Sequence, residues 1–328
     1  MDRRTFLQTV SGAAAGAWLL VACGSDDNDD GATSPSGTSA GGASGGTEKI
    51  VLVKNAWTAS ALDAEIAKQL IEQNFGNPVE ITSIDENTMY DGLSSGKLDA
   101  VLEVWPSGLS ADEQKYYDNG SVVDVGKLGA VGRIGWYTPS YVLEQFPALK
   151  TWEGLKDPAI AKEFASAETA DKGRFLGTDP SYSQADEAII TNLALPFQVV
   201  YSGSEAATVA AVDGAVAAKK PILLYWWTPT ATTAKYDLVE IELPAYTDEC
   251  WADAAKIACA YPEDVLLKAA SAKLKDKDPA VWAFLEKFSL SNEDQLGLLP
   301  AVEIDKRDAA EVAAEWIAAN EATWKAWV

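Results

Sequence analysis

The sequence holds no histidine in 328 residues. That absence removes Ser-His-Asp and Cys-His nucleophilic catalysis, imidazole-ligated metals and the usual general base near neutral pH. Hydrolysis by a pair of carboxylates survives the cut, and little other hydrolytic chemistry does. Basic residues are scarce as well: 26 Lys and Arg stand against 49 Asp and Glu, a net charge of −23. Phosphate backbones are held by Lys and Arg, so this balance argues against a nucleic-acid partner. It favours solubility and gently attracts cations. Cysteine is limited to Cys23, Cys250 and Cys259. Two thiols without histidine do not complete a zinc shell, so no metal and no cofactor is expected.

The chain opens with Met1-Asp-Arg-Arg-Thr-Phe-Leu, then a weakly apolar stretch, Val10 to Ala22, then Cys23. A basic start, a short apolar segment and small residues before a cut site describe a secretory signal over residues 1–22. The apolar stretch is too short for a bilayer-spanning anchor. Leu20-Val-Ala-Cys23 resembles the lipobox of bacterial lipoproteins, which makes Cys23 the acylated residue. Arg3-Arg4 ahead of Thr-Phe-Leu resembles a twin-arginine export signal. Residues 23–48, almost all Gly, Ser, Thr, Ala and Asp, lack the apolar surface that would offset ordering entropy and read as a flexible tether. The expected location is extracytoplasmic, with the membrane reached through lipid. In that oxidising compartment Cys250 and Cys259 form an even pair. A disulfide between them would close a small loop and add roughly 2–3 kcal/mol.

About 280 residues remain after the tether, enough for two lobes. Strand and helix signals alternate. Lys49–Lys54 is a β-branched run, followed by a helix that Ser60 would cap and that carries Leu62, Ile66, Leu70 and Ile71 as far as Gly76. Val79–Ile84 and Leu98–Trp105 read as further strands, with a short helix between them. A second series holds strands at Gly173–Gly177, Phe197–Tyr201 and Pro221–Trp227, an Ala-rich helix capped by Ser204, and a half-exposed strand at Asp237–Leu243. From Pro262 onward the chain reads as helix, with Trp316, Trp324 and Trp327 as packing residues. Such alternation predicts an α/β fold, a parallel sheet with helices on both faces.

Two tryptophans end strands and precede turn residues: Trp105 before Pro106, and Trp227 before Thr-Pro229. Ligands of open α/β sheets bind beyond the carboxyl ends of strands, so these rings are expected in a cleft. Trp226 and Trp227 point to opposite faces by strand periodicity, so at most one of them meets a ligand. Trp57, after the first strand, is a further candidate. Glu103 shares a strand face with Trp105. The loop Thr178-Asp-Pro-Ser-Tyr182-Ser-Gln184 precedes a helix beginning near Ala185, where free N–H groups can hold an anion. Aromatic faces suit a quaternary ammonium group at about 0.5–2 kcal/mol per contact. The N–H groups of Ser183 and Gln184 would meet a carboxylate on the same ligand. Such a site binds a small-molecule quaternary amine or zwitterion and performs no reaction. Alternatives are a carrier for another zwitterion such as an amino acid, or a carbohydrate-cleaving surface enzyme using Glu103 and Asp179.

Four stretches carry a family resemblance: Leu93-Ser-Ser-Gly-Lys-Leu-Asp-Ala-Val-Leu-Glu-Val-Trp-Pro106, Leu155-Lys-Asp-Pro-Ala-Ile-Ala-Lys-Glu-Phe164, Lys220-Pro-Ile-Leu-Leu-Tyr-Trp-Trp-Thr-Pro229 and Cys259-Ala-Tyr-Pro262. Over roughly residues 49–328 the chain resembles the glycine betaine/choline-type substrate-binding proteins of ABC importers. The resemblance implies a two-lobed, type II periplasmic-binding-protein-like fold with a ligand cleft between lobes and a helical C-terminal segment. It places residues 49–137 plus 260–328 in one lobe and 138–259 in the other. It implies an aromatic box of Trp105, Tyr182 and Trp227, and partners in a permease and its ATPase subunits. The chain departs from the pattern in three ways. No His follows the first box residue, Thr230-Ala231 stands where a second aromatic is common, and Tyr182 stands where a tryptophan is usual.

Overall fold

A computed structural model describes residues 48–328. The expected leader, Cys23 and all of the tether before Glu48 lie outside the described residues. One mixed sheet of nine strands runs through the molecule in the order β2-β1-β3-β9-β4-β7-β5-β6, with β8 paired to β4. The strands are β1 (Ile50–Lys54), β2 (Val79–Ser83), β3 (Ala100–Val104), β4 (Val122–Pro139), β5 (Gly173–Gly177), β6 (Phe197–Tyr201), β7 (Leu223–Thr228), β8 (Leu238–Glu240) and β9 (Glu263–Ser271).

The two halves of the sheet are each parallel, as the alternating pattern predicts. β1 lies between β2 and β3, and β5 lies between β6 and β7. Each half gathers helices on its faces and makes one lobe. Between β1 and β2 the helix Thr58–Phe75 buries Leu62, Ile66, Leu70 and Ile71 and ends at Gly76, whose φ of 77° an L side chain rarely adopts. Ser60 does not cap this helix. Its hydroxyl sits inside the first turn and accepts the Asn55 N–H at 3.0 Å. The capping acceptor comes from elsewhere: Glu205 takes both the N–H and the hydroxyl of Thr58, each at 2.9 Å. Ser204 does cap its helix, Glu205–Ala218, by accepting from the Ala207 N–H.

The fully parallel reading fails at the centre of the sheet. β4 and β9 pair antiparallel with each other, and each pairs antiparallel with the end of one parallel half, β9 with β3 and β4 with β7. β4 escapes a strand reading because Gly126, Gly129, Gly132 and Gly135 interrupt its alternation. At Gly132 the glycine is required, since a Cβ would stand 2.2 Å from the Trp105 ring. β9 overturns the expectation that everything after Pro262 is helical. Leu-Leu-Lys-Ala-Ala is good helix-forming sequence, yet tertiary pairing makes it a central strand. Its Lys268 is buried among backbone carbonyls, donating to Leu285 at 2.7 Å and also to Phe288. The chain after β9 is helical; Phe284 packs on Phe75 of the first lobe at 5.8 Å, and within the segment Trp327 packs on Phe288 at 5.0 Å. Trp316, Trp324 and Trp327 are buried there.

Candidate functional site

A small cavity lies where the carboxyl ends of β1, β3 and β7 converge. Five aromatic side chains line it: Trp57, Trp105, Tyr182, Tyr225 and Trp227. Glu86, Ser183, Gly108 and Ile134 complete the lining. The strand-end rule therefore locates Trp57, Trp105 and Trp227 in one space, and the loop after β5 adds Tyr182.

The first-lobe wall is held by hydrogen bonds to a buried carboxylate. Trp57 and Trp105 each donate the indole N–H to Glu103 Oε1 at 2.8 Å. Glu103 is 1 % exposed, and burial pushes its carboxyl up to about 7 against the pull of the two indoles. Asp63, buried beside it, is pushed well up by burial first and by the Glu103 charge second. The pair thus retains a proton, and two indole donors make Glu103 the better carboxylate. Glu103 is not the cleft residue its strand face suggested. It sits behind the rings and fixes their planes.

The second-lobe wall is ring against ring. Tyr182 meets Trp57 edge-on at 5.5 Å and Trp227 edge-on at 5.8 Å. Tyr225 and Trp227, two apart on β7, share the cavity, with ring centres 6.1 Å apart. Trp226 stays out of the cavity, donating its indole to Thr230 and stacking on Trp227 at 4.4 Å. The two indoles do not point fully apart as strand periodicity predicts; one backs the other.

Of the two backbone donors expected for a carboxylate, that of Ser183 is taken from within. The Ser183 N–H donates to Glu86 Oε1. Gln184 turns away from the cavity, its side-chain amide donating to the Asp179 carbonyl at 2.8 Å. The start of the helix Asp186–Asn192 is likewise occupied, because the Ala185 N–H donates to the Tyr261 hydroxyl at 2.7 Å. Asp186 itself accepts from Trp136 at 2.6 Å and from Tyr261 at 3.0 Å. Glu103 and Asp179, the carboxylate pair of the hydrolase alternative, do not line this cavity.

Four lining residues are missed in the sequence: Gly108, Ile134, Tyr225 and Glu86. Tyr225 was readable from its spacing to Trp227. Glu86 stands in Asp85-Glu-Asn-Thr88, indistinguishable from a solvated turn until the loop at 178–184 folds over it. Burial pushes Glu86 up to about 7, opposed by the Ser183 N–H and reinforced by the charges of Glu113 and Asp264.

Several hydrogen bonds join the lobes around the cavity. Tyr182 donates its hydroxyl to the Ala56 carbonyl at 2.9 Å, Asn87 donates to the Ser181 carbonyl at 2.9 Å, and Thr232 N–H donates to Glu303 at 3.1 Å. With Thr58–Glu205 and Ser183–Glu86, these describe a shut cleft. Behind the second wall, Cys250 and Cys259 are joined through sulfur, and their loop packs Trp251 on Tyr261 at 5.3 Å. Tyr261 in turn meets Tyr225 edge-on at 6.0 Å.

Comparison with known proteins fits this geometry. The family described as OpuAC, the substrate binding domain of ABC-type glycine betaine transport systems, matches residues 48–319. The trimethylamine N-oxide-binding protein of Pelagibacter ubique (strain HTCC1062) is 27% identical over 281 residues, covering 84% of this chain and 89% of its own. Among solved structures, lactococcal OpuAC, closed on glycine betaine, superposes with a TM-score of 0.69 at 20% identity, covering 85% of this chain and 99% of that one. A choline-binding protein of an ABC transporter, in complex with choline, gives 0.69 at 19% identity over 85% of this chain and 91% of that one. The fold is the two-lobed, type II periplasmic-binding-protein fold.

Proposed function

The chain belongs to the OpuAC family of substrate-binding domains of ABC-type glycine betaine transport systems, and we propose that it captures glycine betaine or a related methylated amine in its five-ring cavity and delivers it to a permease. It is a solute-binding protein of an importer, not an enzyme, and its domain works outside the cytoplasm. The name of the Pelagibacter relative adds trimethylamine N-oxide to the ligands worth testing.

One observation carries the reading: rings from both lobes enclose a single small space, and among the described residues no Lys or Arg lines it. A methylated ammonium spreads its charge over carbon and needs no hydrogen bond, so ring faces replace its hydration shell, at about 0.5–2 kcal/mol per contact. Trp57 and Trp105 approach from one lobe, and Tyr182, Tyr225 and Trp227 from the other, so a ligand touching both stabilises closure. The lobes divide at 49–137 plus 260–328 and 138–259, with β4 running across the division. Acylated Cys23 and the tether at 23–48 keep the domain near its permease while it turns freely.

Titration of intrinsic tryptophan fluorescence with choline, glycine betaine, trimethylamine N-oxide, proline and an oligosaccharide tests this. Saturable change with methylated amines alone supports the proposal. Saturation by proline or the oligosaccharide, with none by methylated amines, overturns it.

A further inference from the structure

Glu86 stands at the cavity wall in the loop between β2 and the helix Met89–Ser95, and its Oε1 accepts the Ser183 N–H from the other lobe. A ligand carboxylate therefore finds that N–H taken. Space beside it is short as well. A Cβ at Gly108 would lie 3.2 Å from Ser183 Cβ and 3.8 Å from Glu86 Oε1, so backbone, serine and carboxylate already meet. The charges facing Glu86 have one sign: Glu113 from the helix Ala111–Asp118 and Asp264 from β9. The other titratable groups near it are Tyr90, Tyr182 and Tyr225.

We propose that Glu86 supplies the anion of this site from the protein itself, so that the cavity takes a methylated ammonium cation bearing no carboxylate, such as choline, in preference to a betaine. The inference rests on the methylated-amine reading of the cavity and names the ligand class within it. A cation brings Glu86 the counter-charge that the neighbouring groups lack. A betaine brings a further carboxylate up against Glu86, whose own partner is the Ser183 N–H. Burial, which lifts Glu86 to about 7, sets the pH at which the distinction fades. Below that value Glu86 carries its proton, can donate to a ligand oxygen and repels a carboxylate less.

The test is calorimetric titration of the wild-type chain, Glu86→Gln and Glu86→Asp with choline and with glycine betaine at pH 8 and pH 6. Wild type should bind choline more tightly than glycine betaine at pH 8, and the ratio of affinities should narrow at pH 6. Glu86→Gln should lower that ratio at pH 8 by about tenfold or more, while Glu86→Asp keeps its order. A wild-type preference for glycine betaine at pH 8 overturns the inference. So does a ratio that neither pH nor Glu86→Gln moves. The wild-type pH comparison needs no variant to fold. If neither amine binds wild type, the inference fails, and the cavity reading fails with it when trimethylamine N-oxide does not bind either; if both bind with an unmoved ratio, only the inference fails.

Discussion

The two walls of the cavity present the same chemistry and are held in place by different forces. On the first lobe, Trp57 and Trp105 are fixed by a shared acceptor, Glu103, whose carboxylate is buried beside Asp63. On the second, Tyr182, Tyr225 and Trp227 are fixed by one another and by Trp226 beneath. A hydrogen-bonded ring is set in orientation by one atom and is vulnerable to the loss of that atom. A ring packed among rings loses its position gradually. The first wall hangs directly on a carboxylate that titrates, whereas the second meets one only at a remove, through Tyr261 on Asp186.

This contrast can be broken from either side. Trp227→Ala removes a full ring face and should reduce affinity for a methylated amine by about 100-fold, read by calorimetry, with the far-UV circular dichroism of wild type retained. Glu103→Leu leaves two indole donors unsatisfied and should cost about tenfold in affinity, while Glu103→Gln, which keeps an acceptor oxygen, should stay near wild type. Equal losses in the two Glu103 variants would show that charge, not indole orientation, is what Glu103 supplies. Tyr182→Phe keeps the ring and removes only its bond to the Ala56 carbonyl, so affinity should fall by a factor of about three to ten.

The smallest effect concerns pH. Glu86, Glu103, Asp186 and Glu303 are each lifted to about 7 in the folded chain, in every case by burial first. The fold thus holds protons that the unfolded chain releases between its ordinary carboxylate range and about 7. Stability is greatest at the low end of that window and is lost as pH rises through about 7. The melting temperature of the unliganded protein should be at least about 3 °C higher at pH 6 than at pH 8, by differential scanning calorimetry. An unchanged or reversed order would mean that these carboxyl groups do not keep their protons in solution.

Much of this was legible in the residues, and the failures have physical causes. Trp57, Trp105 and Trp227 could be placed because parallel strands put their carboxyl ends at one edge, a rule that needs only strand boundaries. β4 was invisible because its glycines serve neighbours rather than alternation; Gly132 makes room for Trp105, a contact made across the sheet. β9 was misread because its local propensity is helical and only its pairing with β3 and β4 makes it a strand. Ser183 was assigned to a ligand because its N–H looked free in a loop, and Glu86, nearly 100 residues away, takes it. Local pattern locates the rings. It cannot report which buried donor has already found an acceptor.

The most direct test is a crystal structure of the chain soaked with choline. The account predicts the quaternary nitrogen within about 6 Å of the ring centres of Trp57, Trp105, Tyr182 and Trp227. Choline bound at another surface, with these rings still packed on one another, would contradict it.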